Sequence, residues 1–189
     1  MLPLPDRRSF WIYPDHVASS ALAARAPDAF PTNHPPASQQ MKGDEDKGRV
    51  VGKTMAFTIN GEAGDTTNFA DYVQANLKLS VYRNNVETSP PAAANWIRNQ
   101  LAASIRSRSP KSVNLLLGGY DAATDTPHLY WLDYLGTLGE VPFAAHGYGS
   151  YFCLSTMDRY HNPKGTWEDG LETLKRCINE LQTRFIVDL

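Results

Sequence analysis

Hydrophobic and polar residues alternate over residues 54–59, and the run is rich in residues that favour extended backbone. This alternation predicts a β-strand, and the glycines of residues 61–64 predict a tight turn directly after it. Asp65 stands where a carboxylate can accept hydrogen bonds from the free amides of a helix, so we expect it to cap the next element. That helix has an apolar stripe near the helical period, formed by Phe69, Tyr72, Val73, Leu77 and Val81.

A second helix is predicted to begin with Ser89 as its N-cap and Pro90 in its first turn, where the missing amide costs nothing. Residues 113–120 are nearly all apolar, as expected for a strand buried on both faces. The polar residues 121–127 lead into a strand over 129–134, which indicates a hairpin, and residues 140–145 form a third strand. The stripe of the second helix comprises Ala93, Trp96, Ile97, Leu101 and Ile105.

Two more helices complete the pattern. One is predicted over residues 150–160, and the last begins after Thr166, which forms a variant capping box with Asp169 three residues later. The order of strand, two helices, three strands and two helices predicts an α+β domain. The buried face of the last helix is predicted to comprise Leu171, Leu174, Ile178, Leu181 and Phe185.

Residues 1–40 differ from the remainder of the chain. They contain seven of the 13 prolines, and proline removes a backbone donor and disfavours helix at the residue before it. We therefore predict a mostly irregular, proline-rich segment over 1–40, with space for a short helix near residues 15–25. A charged turn is predicted over 41–48, and the folded domain over 41–189.

Charge and composition exclude several classes of protein. The chain has 18 basic and 20 acidic residues, a formal net charge of −2, and no basic stripe of the kind that binds nucleic acid. No apolar run approaches the ~20 residues that a membrane span requires. Cys153 and Cys177 fall inside helical patterns, which favours a reducing compartment over a disulfide framework. These features, with no secretory signal pattern, predict a soluble intracellular protein.

The histidines do not form an obvious reactive group. His146, followed by a glycine turn, is better explained as a hydrogen-bonded residue at a strand end than as a catalytic base. His128 and His161 do not make a metal-ligand spacing with Asp133 or Asp158. We therefore expect no metal site and no cofactor.

Four other features bear on candidate chemistry. Cys153 falls on the apolar side of its helix and is predicted to be a core residue rather than a nucleophile. Glu62 beside Asp65 suits a helix N-terminus, which favours negative charge. The basic residues of 106–111 form either a solvated helix end or a contact with another subunit, and the two alternatives stay open. Residues 147–149 are too short for a phosphate-binding loop.

Taken together, several motifs resemble the proteasome β-subunit family over about residues 41–189, in the order and spacing that the family has. Each is weak alone. The resemblance extends to the branch that occupies the fourth position of the β ring. The motifs are GEAGDT at 61–66, FADY at 69–72, TSP at 88–90, AAAN at 92–95, RSR at 106–108, VNLLLGGYD at 113–121, DYLG at 133–136, PFAAHGYG at 142–149 and DRY at 158–160, with Cys177 and ELQ at 180–182.

The resemblance implies an N-terminal nucleophile hydrolase fold, a four-layer αββα sandwich, and relative to the family the sequence lacks strands at both ends. Active members expose an N-terminal threonine whose own amine acts as the base. The Gly-Thr junctions here precede Thr137 and Thr166, and neither Thr32 nor Thr54 follows a glycine. Gly61 matches the glycine whose amide forms the oxyanion hole in active relatives. The expectation is a non-catalytic subunit, not an enzyme, with no catalytic, cofactor-binding or metal-binding residues.

The same resemblance implies a structural role in the 20S core particle of the complex that degrades ubiquitin-targeted and unfolded proteins. Expected partners are other β subunits in the same and the opposite ring and subunits of the α ring, in cytoplasm and nucleus, with no nucleic acid or membrane partner. Tyr82, Arg83 and Arg108 are candidate contact residues. The alternatives are a degenerate N-terminal nucleophile amidohydrolase and a truncated subunit that acts in proteasome assembly.

Overall fold

The computed structural model describes residues 20–21 and 47–184, which form seven strands and four helices. Among the described residues, no helix combines the length and the apolar character needed to cross a membrane. In chain order the elements are β1 (Ser20–Ala21), β2 (Gly48–Val51), β3 (Met55–Gly61), α1 (Ala63–Asn84), α2 (Pro90–Ile105), β4 (Val113–Asp121), β5 (Thr126–Leu132), β6 (Leu138–Glu140), β7 (Phe143–Ala144), α3 (Ser150–Tyr160) and α4 (Trp167–Arg184).

Strands β2 to β6 form one antiparallel sheet in the order β2-β3-β4-β5-β6. Each strand therefore pairs with its neighbour in sequence. The register places Phe57 opposite Leu117, and Leu117 opposite Tyr130. Side chains in register share a face of the sheet, so these three residues mark one face across the three central strands.

Helices α1 and α2 pack on that face and complete the main core. The helices present most of their predicted stripes to the sheet, but Tyr72 is 45% exposed and Ile105 is 39% exposed. Tyr72 stacks on Trp96 with ring centroids 5.8 Å apart and lies 6.3 Å from the Phe69 ring. Burial of these apolar side chains is the main stabilising contribution to the domain. The core residues are Val51, Met55, Phe57, Ile59, Phe69, Ala70, Val73, Leu77, Ala93, Ala94, Ile97, Leu101, Val113, Leu115, Leu117, Tyr130 and Leu132.

The opposite face of the sheet is covered as well, since Thr58, Leu116 and Leu129 are buried there. Helices α3 and α4 pack against each other over a second, separate apolar cluster. Strand β7 leads into this helix pair, and it pairs with β1 in a two-stranded parallel sheet. The second cluster comprises Ala145, Cys153, Met157, Leu174, Cys177 and Leu181.

The structure confirms the α+β class and most of the predicted elements. The described residues form one five-stranded antiparallel sheet and one two-stranded parallel sheet, which does not confirm the predicted pair of stacked antiparallel sheets. The strand predicted over 140–145 is wrong. Pro142 has no amide to donate to a ladder, and the chain divides there into β6 and β7.

Two local predictions need correction. Glu62, not Asp65, is the N-cap residue of α1, because the helix begins at Ala63 and Asp65 already lies in its first turn. In α4 the buried face is rotated from the predicted stripe: Thr173 and Cys177 are buried, whereas Ile178 is 42% exposed. The irregular segment over 1–40 and the side chain of Phe185 lie outside the described residues.

Other predictions hold. Helix α3 begins and ends at the predicted residues. Ser89 is the N-cap residue of α2 and Pro90 lies in its first turn, although the Ser89 side chain makes no capping hydrogen bond. The amide of Thr166 donates to Asp169 Oδ2 at 2.9 Å, which is one half of the predicted capping box.

Candidate functional site

The junction between β3 and α1 is held in a backbone conformation that only glycine adopts easily. Gly61 has φ +143°, and a Cβ placed there would lie 2.1 Å from the carbonyl oxygen of Ser112. The adjacent amide of Glu62 donates to that same oxygen at 3.0 Å. A side chain at Gly61 would therefore prevent this junction from packing closely against the start of β4.

Asp65, in the first turn of α1, joins the helix to the segment before β4. Its Oδ1 accepts from Lys111 Nζ at 2.9 Å, and its Oδ2 accepts from the Ser112 amide at 3.1 Å. The hydrogen bond from Lys111 lowers the pKa of the Asp65 carboxyl below its ordinary value of 3.8, and the Ser112 amide acts in the same direction. The Lys111 amide in turn donates to Ser104 Oγ at 2.7 Å.

A small cleft opens beside this junction, with a volume of about 210 Å³. It is smaller than the roughly 300–1,000 Å³ of a typical small-molecule site. Its position at Gly61 is where the family resemblance places an oxyanion-binding amide. The lining residues are Lys47, Arg49, Ile59, Asn60, Gly61, Glu62, Ala63, Thr66, Thr67 and Ala70.

The threonines considered as nucleophiles lie in different parts of the fold. Thr54 lies in the turn between β2 and β3, and its hydroxyl contacts Glu87 Oε2 at 3.4 Å. The amide of Thr137 donates to Asp133 Oδ1 at 2.8 Å within the loop before β6, and Thr166 directly precedes α4. None of these three lines the cleft at Gly61. Thr32 lies outside the described residues.

His146 contacts the sheet, as the sequence predicts for a strand-end residue. Its Nε2 lies 3.1 Å from the Leu115 carbonyl oxygen, and its ring stacks on Trp131 with centroids 5.0 Å apart. Burial lowers its pKa below the ordinary 6.5, and hydrogen bonds to the backbone only partly oppose this shift. The neutral ring thus holds the segment after β7 against the sheet.

The two cysteines lie together in the second apolar cluster, and both are free thiols. Cys177 Sγ lies 3.8 Å from the Cys153 carbonyl oxygen. The hydrogen bond with Cys177, together with burial, raises the pKa of the Cys153 thiol. Cys153 is fully buried in the second apolar cluster, so its predicted core role is confirmed.

His128 and His161 lie in separate surroundings. His128 contacts Thr126 on its own strand β5 and Glu140 on the neighbouring edge strand β6, and His161 packs on the Phe143 ring with centroids 5.1 Å apart. Across residues 20–21 and 47–184, no group of three or more histidine, cysteine or acidic side chains is arranged to hold a metal ion. Sequence reasoning missed the contact of His128 with Thr126, for which the two-residue spacing along one strand was the available signal.

The candidate contact residues are on the surface. Tyr82 is 84% exposed, and Arg83, Arg106 and Arg108 are exposed too. A wide groove of about 810 Å³ runs along α3 and α4. In it the Arg176 guanidinium lies 4.3 Å from the centre of the Tyr160 ring, a cation–π distance.

Comparison with known proteins gives the relatives of this chain. The family model described as "Proteasome subunit" matches residues 34–188. The chain is 49% identical to the probable proteasome subunit beta type-4 of Neurospora crassa, over 78% of this chain and 73% of the relative. It is 45% identical to the proteasome subunit beta type-4 of Saccharomyces cerevisiae and 46% identical to the proteasome subunit beta type-2 of Dictyostelium discoideum, each over 78% of this chain and 75% of the relative.

These comparisons confirm the family resemblance and correct one prediction. The sequence-based expectation that the chain is not an enzyme is contradicted, because the matched family includes threonine peptidases. That expectation depended on Thr137 and Thr166, which follow glycines far along the chain, and on Thr32 and Thr54, which do not follow one. Peptidase chemistry is therefore not excluded by fold or family.

Proposed function

The chain belongs to the proteasome subunit family, and from that premise we propose that this β subunit of the core particle fills the beta type-2 position, the fourth of the β ring. The chain is similar to relatives under two names, at 45–50% identity for those named beta type-4 and 40–46% for those named beta type-2. The overlap of the two ranges supports placing both names in one branch. The similarity over three quarters of each relative is the observation that carries the proposal.

The proposed role is to build the wall of the proteolytic chamber. The subunit contacts β subunits of its own ring and of the opposite ring, and a subunit of the α ring. Large exposed side chains such as Tyr82, 84% exposed, and Tyr151, 77% exposed, support such contacts, because tyrosine and arginine are enriched at protein interfaces. The complex degrades ubiquitin-targeted and unfolded proteins in cytoplasm and nucleus.

The proposal includes the complete four-layer sandwich of N-terminal nucleophile hydrolases. In that arrangement a second antiparallel sheet covers the face of the β2–β6 sheet that lies away from α1 and α2. Burial of Leu116 and Leu129 on this face supports a covering layer, since apolar side chains on an exposed sheet face gain nothing by pointing into water. Helices α3 and α4 then form the outer layer on that side.

Affinity purification of an affinity-tagged chain from its native cell tests this function. We expect the tag to recover α and β proteasome subunits together, in a species that migrates with the core particle on a native gel. A control tag on an unrelated protein of similar size should recover neither. Recovery of the chain free of other proteasome subunits would refute the proposal.

A second candidate function, an N-terminal nucleophile amidohydrolase, is favoured by the cleft beside Gly61. The φ of +143° and the contact with Ser112 keep this backbone close to the cleft, where an amide could polarise an acyl oxygen. Amino-terminal sequencing of the mature chain decides this function. A free N-terminal threonine that reacts with a threonine-directed covalent inhibitor supports it, and a chain that reaches the particle without such a residue excludes it.

A further inference from the structure

Three side chains on β5 and the edge strand β6 form a continuous hydrogen-bonded series. Thr126 and His128 are two residues apart on β5 and share a face, and Glu140 is the last residue of the neighbouring β6. Thr126 Oγ1 lies 3.0 Å from His128 Nε2, and His128 Nδ1 lies 2.7 Å from Glu140 Oε1. A hydroxyl on one ring nitrogen and a carboxylate on the other is the arrangement by which a base activates a nucleophile.

We propose that Thr126, His128 and Glu140 form a nucleophile, base and carboxylate set that cleaves small activated esters. This site is separate from the cleft at Gly61, because none of the three residues lines that cleft. The two sites lie at opposite ends of β4. Thr126 pairs with Asp121 at the β4–β5 turn, whereas Gly61 pairs with Val113 at the start of β4.

The hydrogen-bond pattern assigns the protons. Glu140 accepts from His128 when the ring carries its proton on Nδ1, which leaves Nε2 as the acceptor for the Thr126 hydroxyl. Thr124 Oγ1 lies 2.6 Å from Thr126 Oγ1 and can donate to it. The Thr126 oxygen thus receives one hydrogen bond and directs its own proton to the base.

Neighbouring groups hold this geometry in place. Asp125, with φ 56°, closes the turn before Thr126, and Tyr120 donates its hydroxyl to the Asp125 carboxylate. The Tyr130 ring stacks on His128 with centroids 5.8 Å apart and an interplanar angle of 9°, and its hydroxyl lies 3.4 Å from Nδ1. A nucleophile and base positioned before substrate arrives need little reorganisation for reaction.

Exposure defines the class of substrate. Thr126 is exposed at the turn, whereas the His128 side chain is only 17% exposed, so the hydroxyl meets solvent and the base is sheltered behind it. The set lies beside the β4–β5 turn, and neither the cleft at Gly61 nor the groove along α3 and α4 includes any of its residues. A single oxyanion donor contributes about 10²–10³-fold to acyl transfer, and an ester with a good leaving group depends less on such a donor than a peptide does.

The reaction balances as two acyl transfers. The Thr126 oxygen attacks the ester carbonyl carbon while its proton passes to His128 Nε2, and the carbon–oxygen bond to the leaving group breaks. The protonated His128, held by Glu140, returns the proton to the departing alkoxide or phenoxide. Water then attacks the acyl–Thr126 ester by the reverse sequence, which releases a carboxylic acid and restores the hydroxyl.

Covalent labelling with a fluorophosphonate tests the set, because attack by Thr126 expels fluoride and leaves a stable phosphonyl group on its oxygen. The full tagged chain is labelled as it is recovered from the cell, whether in a particle or alone, so failure of particle assembly and failure of this site are distinguishable. Adducts are located by mass spectrometry of the peptide that contains Thr126, so threonine peptidase subunits in the same preparation do not contribute to the signal.

We expect time-dependent labelling at Thr126 that is absent in Thr126→Ala and unchanged in Thr183→Ala, a control on the exposed side of α4. His128→Gln should slow labelling roughly 100-fold, as for loss of a general base, and Glu140→Gln should slow it roughly tenfold or more, since the ring loses its orienting carboxylate. The rate at which the Thr126→Ala chain releases nitrophenol from p-nitrophenyl acetate should be lower than the rate of the unmodified chain.

Two results would overturn the proposal. One is the absence of any adduct at Thr126 in the unmodified chain. The other is labelling of Thr126 at the same rate in Glu140→Gln as in the unmodified chain. Glu140 is 54% exposed, so the fold tolerates its replacement. The labelling rate of Glu140→Gln therefore tests the proposal even where His128→Gln does not fold.

Discussion

Lys111 and Asp65 form an ion pair, with Lys111 Nζ 2.9 Å from Asp65 Oδ1, that ties the segment before β4 to the first turn of α1. The pair lies beside the glycine that ends β3. The amide of Ser112 completes the contact by donating to the other carboxylate oxygen. Helix α1, the start of β4 and the end of β3 therefore meet at one point, and the cleft at Gly61 depends on it.

Replacement Asp65→Asn should destabilise the chain by about 1–2 kcal/mol, because a charge-assisted hydrogen bond and an ion pair are lost together. The effect should depend on pH. The folded-state pKa of Asp65 is lowered, so its contribution is complete at pH well above 3.8 and disappears as pH falls from 3.8 through the folded value.

Chemical denaturation at several pH values measures the effect of Asp65→Asn. Asp71→Asn is the matched control, because Asp71 is 64% exposed and its contact with Arg49 is 3.4 Å long. Equal losses of stability in the two variants at neutral pH would contradict the role given to the Lys111–Asp65 pair.

Gly61→Ala should destabilise the chain by roughly 3 kcal/mol or more, since it combines a strained backbone with a steric clash. The added methyl would lie 2.1 Å from the Ser112 oxygen. Gly64→Ala is the matched control one turn away: nothing lies within 4 Å of a Cβ at that helical position, and alanine should stabilise the helix by about 0.5–1 kcal/mol. Thermal unfolding of both variants checks the contrast, and a stable Gly61→Ala chain would refute the conformation described for this junction.

Ile97→Ala should cost about 2–5 kcal/mol, because Ile97 is fully buried between α2 and the sheet and its truncation leaves a cavity. Ile105→Ala, in the last turn of the same helix, should cost less than about 1 kcal/mol, since Ile105 is already 39% exposed. Denaturant midpoints compare the two variants directly. Similar costs would show that α2 does not pack on the sheet as described.

His146 should make stability depend on pH in the slightly acidic range. Its folded-state pKa lies below 6.5 because of burial, so the unfolded chain binds the proton more readily. Stability should therefore be greatest above pH 6.5 and fall as pH decreases toward the folded value. His146→Gln should flatten this part of the profile, as measured by denaturation between pH 5 and pH 8 (the ordinary titration range of histidine). An unchanged dependence of stability on pH in His146→Gln would contradict the role given to His146.

Local patterns in the sequence were sufficient to predict the helices and the central strands. Pro90 at a helix start and the apolar run before Gly118 are signals contained in a few adjacent residues. The role of Asp65 was not predictable in this way, because Lys111 is 46 positions away in sequence. A carboxylate near a helix start has two plausible partners, and only the tertiary fold determines which one it takes.

The same limit explains the remaining differences. The stripe of α4 was assigned by hydrophobicity. Leu174 and Leu181 are buried as predicted, but the α4 residue between them in the second apolar cluster is Cys177, and Ile178 is exposed. The series from Thr126 to Glu140 crosses between two strands, and its geometry depends on the β5–β6 register. Motifs in sequence indicated the family, whereas contacts between distant segments defined the candidate sites.

Cryo-electron microscopy of particles purified through a tag on this chain tests the central claim most directly. We expect density for α1 and α2, with the stacked Tyr72 and Trp96 rings, within a β ring and between two other β subunits. Particles whose β rings are filled entirely by other subunits, or a tag that recovers no ring at all, would contradict the assignment of this chain to the core particle.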